Sequence, residues 1–371
     1  MVKHHNANPK RTWDAVLRET SQFTTGCAEW PTPGDPRLPP PPQTISSRQQ
    51  IPASFDVRER WPGAPSYEAQ DQGRCGACWG FGAVSTLNDR FFQVCGLDVS
   101  LSVQYALSCQ QRSSVNPCVS ELTEIGTVSE ECFPYVSGDT GRVPPCPERC
   151  NDPNVPFTKY FAENPFSIHI SQIGEEEDME IVMQNTILQH GSVSGWMRVY
   201  EDFQLYNGGV YTHQFGNLVD NHLVKIVGWN ESEADGKYWI VQNSWGPNWG
   251  ENGYARIRRG TNEVDIEQWV AGTNPNCDAV AACPNDCSGN GECVEGVCNC
   301  SEGWTGDNCS IPIAIGQCPE CTSNCANQFM VPENDPNYEV RLEQFVNCYK
   351  HVCENDCSQP NVFETSSSDF S

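Results

Sequence analysis

The chain is poor in basic residues and in long apolar runs, and both shortages exclude classes of function. Its 371 residues hold 22 Lys and Arg against 48 Asp and Glu, which gives a formal net charge of −26. Such an acidic chain repels nucleic-acid phosphates and anionic lipid head groups. The longest apolar run, residues 311–315, is far shorter than the roughly 20 residues of a membrane helix. We therefore expect no nucleic-acid partner and no membrane span.

The first ten residues lack the apolar stretch of a secretory signal, although the cysteines indicate an oxidising compartment. Of the 22 cysteines, thirteen lie in residues 277–357, eight lie in residues 75–150, and one is Cys27. Such density usually means disulfides. We expect an extracellular or endolysosomal or vacuolar protein whose signal is missing through truncation, an artificial boundary or a wrong gene start. The competing interpretation is a cytosolic protein rich in metal sites.

The order of the hydrophobic patterns predicts helices first and antiparallel strands second. A first helix is expected over residues 78–95, with an apolar face made by Phe81, Val84, Leu87 and Phe91. A second is expected from residue 175 to about residue 189, because four acidic residues suit a helix N-terminus. Strands are then expected at 192–199, 223–229, 238–243 and 254–258. This order predicts an α+β fold with two subdomains.

Residues 1–50 are too poor in apolar side chains to bury a core alone. They hold a polar leader, a short amphipathic stretch at 13–23 and a proline-rich segment. We expect an appendage that lies on the folded sequence, which begins near residue 51. The alternative is a disordered leader.

The segment 72–81, Gln-Gly-Arg-Cys-Gly-Ala-Cys-Trp-Gly-Phe, carries the sharpest chemical signal. Its Cys75 and Cys78 are open to three interpretations: zinc ligands, a redox pair, or one structural and one reactive cysteine. No second ligand pair stands at a spacing suited to zinc, and no preceding strand of a βαβ unit supports a redox pair. The pattern matches the one around the reactive cysteine of papain and the cathepsins. On these residues the chain resembles the papain family of cysteine peptidases.

A catalytic Cys-His-Asn site follows from the same resemblance. A helix that begins at Cys78 favours the thiolate, and His222 lies 144 residues further on, within the family's spacing of about 130–150. The resemblance makes Cys78 the nucleophile, His222 the base and Asn243 the side chain that orients the imidazole. Gln72 is expected to donate to the oxyanion. Trp245 is expected to shield the His222–Asn243 hydrogen bond from water.

The resemblance is closest to cathepsin B-like enzymes and spans about residues 8–275. Residues 51–61 look like their mature N-terminus, and residues 8–15 look like part of their propeptide. This implies a papain-like fold with a helical left half and an antiparallel, barrel-like right half. It also implies an inhibitory prosegment at 1–50 and a catalytic domain at 51–276. We expect neither a metal nor a cofactor.

One departure from the cathepsin B-like pattern concerns the end of the substrate. Those enzymes carry a His-His pair that grips a C-terminal carboxylate, whereas the segment between Cys132 and Cys150 holds no histidine. We therefore expect an endopeptidase rather than a carboxydipeptidase.

Two further departures concern the cleft. The glycine-rich segment that supports the substrate backbone is replaced by Cys118-Val119-Ser120-Glu121. Trp269 aligns with a glutamate at the base of the specificity pocket, so that pocket is expected to prefer an apolar residue to arginine. Glu267, two residues away, is the carboxylate that would rescue arginine binding.

The family pattern implies three disulfides in the catalytic domain: Cys75–Cys118, Cys109–Cys146 and Cys132–Cys150. Cys95 normally pairs with a cysteine just after the mature N-terminus, but residues 62–64 read Pro-Gly-Ala. Cys95 is therefore expected to lack its partner, and Cys27 and Cys277 stay unassigned.

The tail contains a second cysteine framework, at residues 280–310. Six cysteines from Cys283 to Cys309 have 3, 5, 4, 1 and 8 intervening residues and end after Gly-Trp-Thr-Gly, which strongly resembles an EGF-like module. The implied pairs are Cys283–Cys293, Cys287–Cys298 and Cys300–Cys309. Zinc is the competing interpretation, but no histidine occurs there. We expect a role in spacing or adhesion, with an extracellular protein or glycan as partner.

We expect residues 311–371 to form a cysteine-rich, helical extension, and we cannot name a family that they resemble. Its six cysteines allow 15 pairings. Asn230, Asn299 and Asn308 stand in glycosylation sequons.

The sequence as a whole predicts a thiol endopeptidase that is made as a zymogen and acts on polypeptides, with its own propeptide as a further partner. The alternative is a catalytically silent matrix or adhesion protein with a peptidase-like domain.

Overall fold

A computed structural model describes residues 1–18, 51–109, 121–174 and 178–278, and short stretches of the tail at 287–288, 290–294, 297–301, 304–305 and 309–312. The chain divides into two compact units, Met1–Val280 and Ala281–Ser371. Among the helices of the described residues, none is both long and apolar enough to cross a membrane. Of the extension 311–371, only Ile311 and Pro312 are among the described residues, so its predicted helical structure lies outside them.

The α-helices of the first unit are mostly short. Their bounds are α1 (Val2–Asn6), α2 (Val57–Arg60), α3 (Cys78–Arg90), α4 (Val103–Cys109), α5 (Glu121–Glu124), α6 (Ser137–Thr140) and α7 (Met179–His190). Single turns of 3₁₀-helix lie at Pro65–Tyr67, Ile170–Gln172, Phe203–Leu205 and Glu263–Asp265.

One sheet of nine strands dominates the same unit. Its strands are β1 (Trp13–Ala15), β2 (Phe55–Asp56), β3 (Ala162–His169), β4 (Val193–Tyr200), β5 (Tyr206–Tyr211), β6 (Leu218–Ser232), β7 (Gly236–Gln242), β8 (Tyr254–Arg258) and β9 (Trp269–Pro275). Their order is β1-β5-β8-β7-β6-β4-β9-β3, with β2 on β6. Every pair is antiparallel except β5–β8. Helices therefore precede most of the strands, and the predicted α+β fold class is confirmed.

The first helix has the predicted start and a modified end. It begins at Cys78, and Phe81, Val84, Leu87 and Phe91 are all buried, as its apolar face predicts. After Arg90 the backbone continues as one turn of π-helix, Phe91–Cys95. Gly96 then ends it at φ 68°, a conformation that glycine adopts without a Cβ clash.

The second helix starts later than predicted. It begins at Met179, where the Asp178 side chain accepts the Glu180 amide and so caps the helix. The acidic residues 175–177 lie outside the described residues. The helix ends at His190, close to the predicted residue 189, and Gly191 follows at φ 79°.

The predicted strands are all present, and β8 has the predicted bounds. The strand expected at 223–229 is longer in the structure, since β6 runs from Leu218 to Ser232 and pairs with both β4 and β7. These strands and α7 enclose an apolar core that includes Trp229, Trp239 and Ile257.

A buried polar network joins α3 to the sheet. Lys225 of β6 donates from Nζ to Asp89 Oδ1 of α3 at 3.0 Å and to the Ser66 carbonyl at 2.9 Å. The Ser66 and Ser192 hydroxyls donate to the same carboxylate. Because each charge has partners, the pair can be buried without an uncompensated ion. The network fixes α3, and with it Cys78, over the sheet.

The leader is attached to the outer edge of the sheet. Strand β1 pairs with β5, and Trp13 is only 2 % exposed. Its indole Nε1 donates to the Thr212 carbonyl at 2.9 Å, and its ring lies 5.3 Å from that of Tyr211. The expectation of an appendage that lies on the folded sequence therefore holds for residues 1–18, and residues 19–50 lie outside the described residues.

The disulfides of the first unit correct one expectation. Cys109–Cys146 and Cys132–Cys150 are present, as the resemblance implies, and Cys118 of the third implied pair lies outside the described residues. Cys95 does have a partner, namely Cys277, with Cα atoms 5.5 Å apart. The expectation failed because it considered only the local partner at residues 62–64. The partner lies 182 residues further along the sequence, where the chain leaves β9 close to the end of the first helix.

The second unit contains two hairpins in the part that the structure describes. They are β10 (Gly291–Val294) with β11 (Val297–Cys300), and β12 (Trp304–Thr305) with β13 (Ile311–Pro312). Cys287–Cys298 and Cys300–Cys309 are bonded as the EGF-like pattern implies, and Cys283 lies outside the described residues. Sulfurs of Cys287, Cys298 and Cys309 lie within 4.8 Å of one another, but each belongs to a disulfide and so is not a metal ligand.

Candidate active site

Cys78 occupies the first position of α3, where the helix presents its leading amides. Ala77 is the N-cap residue, and the Phe81 amide donates to the Ala77 carbonyl at 3.1 Å. The leading N–H groups of a helix have no acceptor within it and carry a partial positive charge. A thiolate at this position is therefore stabilised. In the full chain Cys78 has no exposed surface.

His222 and Asn243 are brought together by the pairing of β6 with β7. His222 lies in β6, Asn243 follows the last residue of β7, and His222 Nε2 is 2.8 Å from Asn243 Oδ1. That oxygen accepts the Ser244 amide as well, at 2.8 Å. Because an amide oxygen can only accept, Nε2 carries the proton of the neutral ring. Nδ1 is then the basic nitrogen, and no described residue forms a hydrogen bond with it.

Trp245 covers the imidazole. Its ring is stacked on that of His222, with centroids 5.0 Å apart and planes 26° apart, and Trp249 packs edge-on against Trp245 at 5.2 Å. Trp245 is itself 4 % exposed, and His222 has no exposed surface. The predicted shielding of the His222–Asn243 hydrogen bond is therefore consistent with this geometry.

Gln72 is hydrogen-bonded to Ser244, the residue after Asn243. The backbone N–H of Gln72 donates to the Ser244 carbonyl at 2.8 Å, and the Ser244 hydroxyl donates to Gln72 Oε1 at 2.5 Å. Gln72 Nε2 donates to the Cys75 carbonyl at 3.0 Å, and Tyr135 donates its hydroxyl to the Gln72 carbonyl at 2.8 Å. The side chain is fully buried and fixed in direction.

Cys78 lies near strand β6 in the neighbourhood of Leu223, the residue after His222. The two belong to one apolar cluster, in which Trp196, Trp269 and Ala271 are also buried. The structure therefore collects the four predicted catalytic residues around the N-terminus of α3 and the adjoining ends of β6 and β7.

Trp269, expected at the base of the specificity pocket, belongs to this same apolar cluster. It is the first residue of β9, it is 3 % exposed, and its Nε1 donates to Ser167 Oγ at 2.6 Å. Trp196, on the adjacent strand β4, was not singled out from the sequence. Its position in the cluster depends on the register of three strands, which the local pattern does not give.

Glu267, expected from the sequence as the carboxylate that would rescue arginine binding, is hydrogen-bonded to other residues of the fold. It precedes β9, so the strand alternation does not apply to it. Its Oε1 accepts Trp239 Nε1 at 2.8 Å and the Gly260 amide at 2.6 Å, and its Oε2 accepts the Asn262 amide at 2.7 Å. Burial raises the pKa of this carboxyl, and the hydrogen bonds partly offset that effect. A carboxylate engaged in this way is not available to a substrate arginine.

Three comparisons bear on this arrangement. The family model described as "Papain family cysteine protease" matches residues 51–273, and the "Teneurin-like EGF domain" model matches residues 283–312. "Cathepsin B-like CP3" of Giardia intestinalis is 38% identical over 240 residues, which cover 62% of this chain and 77% of that protein. "Cathepsin B-like cysteine proteinase 4" of Caenorhabditis elegans is 32% identical over 264 residues, which cover 61% of this chain and 76% of that protein.

Solved structures of proforms share the fold. "proCathepsin B S9 from Trypanosoma congolense" aligns with a TM-score of 0.63 at 28% identity and covers 74% of this chain and 97% of its own. The digestive procathepsin L 3 of Tenebrio molitor aligns with a TM-score of 0.57 at 22% identity, over 74% of this chain and 87% of its own, and this likeness shows the fold alone.

Proposed function

The chain belongs to the papain family of cysteine proteases and is cathepsin B-like, and we propose that it hydrolyses internal peptide bonds through Cys78, His222 and Asn243. The observation that carries the proposal is the His222 Nε2–Asn243 Oδ1 hydrogen bond of 2.8 Å. It fixes the tautomer in which Nδ1 can take a proton, beside a thiol at a helix N-terminus.

The reaction has two steps. Cys78 transfers its proton to His222 Nδ1, and the sulfur attacks the substrate carbonyl carbon; His222 then returns the proton to the leaving amine. A water activated by His222 hydrolyses the thioester and restores the thiol. The Cys78 amide and one N–H of Gln72 Nε2 stabilise the oxyanion, and such a donor is worth about 3 kcal/mol in other enzymes.

The chain is made as a zymogen, with residues 1–50 as the inhibitory segment and residues 51–276 as the catalytic domain. Burial of Trp13 against the sheet supports this, as does the complete burial of Cys78 and His222 in the full chain. A thiol without exposed surface cannot meet a polypeptide, so activation must expose it. The solved relatives that are proforms point in the same direction.

The enzyme is an endopeptidase, because the segment between Cys132 and Cys150 holds no histidine to bind a substrate carboxylate. We expect cleavage of peptides blocked at both ends and no release of C-terminal dipeptides. Chromatography of the products from a substrate with a free C-terminus checks this. Efficient dipeptide release would show that another group binds the carboxylate.

The pocket beside Trp269 is uncharged and disfavours arginine. The carboxylate of Glu267, two residues before Trp269, is engaged by Trp239, Gly260 and Asn262. An arginine placed there would lose water without gaining an ion pair.

We place the protein outside the cell or in an endolysosomal or vacuolar compartment, where its disulfides persist. The EGF-like unit then binds an extracellular protein or glycan. A second candidate function is that of a catalytically silent adhesion protein. The observation that favours it is the EGF-like unit itself.

An epoxide probe that alkylates papain-type thiols separates the two functions. Incubated with the full chain after acid or proteolytic activation, it should label the wild type and fail to label Cys78→Ala. Cys75→Ala is the matched control and should still be labelled. Absence of labelling in the activated wild type would favour the adhesion protein.

A further inference from the structure

A row of bulky apolar side chains crosses three strands beside the reacting pair. In the register of β4 with β6, Trp196 is opposite Leu223. In the register of β4 with β9, Gly195 is opposite Val270, so the next residues, Trp196 and Trp269, are opposite each other. Directly opposed residues on neighbouring strands project from the same face of a sheet. Trp269, Trp196 and Leu223 therefore form one continuous row.

The row is packed against the nucleophile. Cys78 belongs to the same buried cluster, and Trp79 packs on it as well. Trp269, Trp196 and Leu223 are 3 %, 3 % and 2 % exposed in the full chain, which still carries the leader. The bond from Trp269 Nε1 to Ser167 Oγ, 2.6 Å long, holds one of the two indoles in place.

This packing determines what the adjacent pocket can accept. Interiors are close-packed, and an added methylene in a filled space forces costly shifts. Two indoles and one isobutyl group leave little depth for a substrate side chain. No carboxylate lies in the row, and the nearby Glu267 is engaged elsewhere.

We propose that Trp196 and Trp269 fill the pocket for the residue that precedes the cleaved one, so that the enzyme selects a small side chain there, such as glycine, alanine or serine. The inference rests on the proposed function, because it assumes that Cys78 is the nucleophile. It narrows the uncharged pocket to a shallow one, and it makes Trp196 a specificity-determining residue that the sequence pattern did not reveal.

The test compares blocked fluorogenic dipeptides that differ only at this position, with Ala, Leu or Arg. The protein is prepared as the full chain and then activated. A sample is titrated with the epoxide probe to count the active thiols, and each rate is expressed per active thiol. We expect kcat/KM for Ala to exceed that for Leu by at least about tenfold, since one or a few methylenes change such rates by roughly 10–200-fold. Arg should be slower than Ala by at least as much.

Trp196→Ala should open the pocket and reverse the order, raising the Leu-to-Ala ratio by at least about tenfold. Trp61→Ala is the matched control, because it also removes an indole but lies outside the cluster, beside Phe55. It should leave the ratio unchanged. If Trp196→Ala does not fold, the wild-type comparison of Ala with Leu still decides the matter.

The outcomes separate this inference from the proposed function. An activated enzyme that is labelled at Cys78 but prefers Leu to Ala would overturn the filled pocket alone. A Leu-to-Ala ratio unaffected by Trp196→Ala in a folded, labelled enzyme would do the same. No labelling and no hydrolysis of any peptide would overturn the proposed function and this inference together.

Discussion

The hydrogen bond between His222 and Asn243 determines which ring nitrogen can act as a base. Asn243 Oδ1 faces both His222 Nε2 and the Ser244 amide, and it can donate to neither. Nδ1 is therefore left to exchange a proton with a thiol. Trp245 is stacked on the imidazole, as the expected shielding of this bond from water requires. In the proposed mechanism the Asn243 amide therefore positions the imidazole, whereas Cys78 and His222 take part in bond making and proton transfer.

A buried acid outside this group makes the fold sensitive to pH. Glu130 Oε1 accepts the Tyr135 amide at 2.7 Å, and no described residue forms a hydrogen bond with its buried Oε2. Burial raises the pKa of Glu130 to about 7, and the Tyr135 amide opposes that shift. Tyr135 in turn contacts Gln72. The ionisation of Glu130 therefore occurs one residue away from the proposed oxyanion donor.

Glu130→Gln should stabilise the protein at neutral and higher pH and change little in acid. Because the folded state holds this proton more tightly than the unfolded state, the stability from Glu130 is present below pH 4 and is lost as the pH rises towards 7. With allowance for its partial exposure, the loss is about 2 kcal/mol. Thermal unfolding of both forms between pH 4 and 8 measures it.

The exposed neighbour is the control for this change. Glu131→Gln should leave the pH dependence of the midpoint as it is in the wild type. An equal difference between wild type and Glu130→Gln at pH 4 and pH 8 would contradict the raised pKa.

Among the elements, strand β9 connects distant parts of the chain. It pairs with β3 and β4, it begins with Trp269 beside the active site, and it ends just before Cys277, which bonds to Cys95 at the end of the first helix. A cross-link stabilises a fold mainly by restricting the unfolded chain, and more so for a longer loop. The Cys95–Cys277 loop spans 182 residues, against 18 for Cys132–Cys150.

Removal of the long-range bond should therefore cost more than removal of the short one. We expect the double variant Cys95→Ser/Cys277→Ser to lose about 5 kcal/mol of stability, and Cys132→Ser/Cys150→Ser to lose about 3 kcal/mol. Denaturant titration of the oxidised proteins gives both values. A larger loss from the short loop, or a non-reduced digest without a Cys95–Cys277 peptide, would count against the assignment.

The local sequence pattern was sufficient to predict most helices and strands, but not the contacts between elements that are far apart in the sequence. The strand at 254–258 and the start of the first helix were predictable, because alternation and an apolar face depend on neighbouring residues. The proposed catalytic residues lie in motifs that are visible in the sequence itself. The Cys95–Cys277 bond and the row through Trp196 were not predictable, because both depend on strands far apart in the sequence lying side by side.

At the scale of the whole first unit, the leader is anchored to the sheet by one aromatic side chain. Trp13 lies among Tyr206, Tyr211 and Phe215, with ring centroids 5.3–6.2 Å away, and β1 adds to the edge strand β5. A single large aromatic residue in a buried site is the kind of anchor that carries most of a docking energy. Release of the leader should therefore depend strongly on this one side chain.

Trp13→Ala in the full chain should speed activation. Loss of a buried indole costs about 3–5 kcal/mol, so activity before any cleavage should rise by at least about tenfold at neutral pH. Arg11→Ala is the control, because within the described part of the chain Arg11 bonds only to Asp14 and Asn8 of the leader itself. Continuous fluorogenic assay of the freshly purified proteins measures the rise. If Trp13→Ala and the wild type have equal activity before cleavage, the proposed inhibitory role of the leader is wrong.

The most direct test of the account is the rate of hydrolysis of a mixture of blocked fluorogenic peptides by the activated full chain and three variants. Cys78→Ser and His222→Ala should each lower kcat/KM by at least about 10⁴-fold, because nucleophile and base act as a unit, whereas Asn243→Ala should retain reduced but measurable activity. Rates are referred to the amount of folded protein, since a serine is not titrated by the epoxide. Turnover by His222→Ala close to that of the wild type would contradict the proposed Cys-His-Asn mechanism.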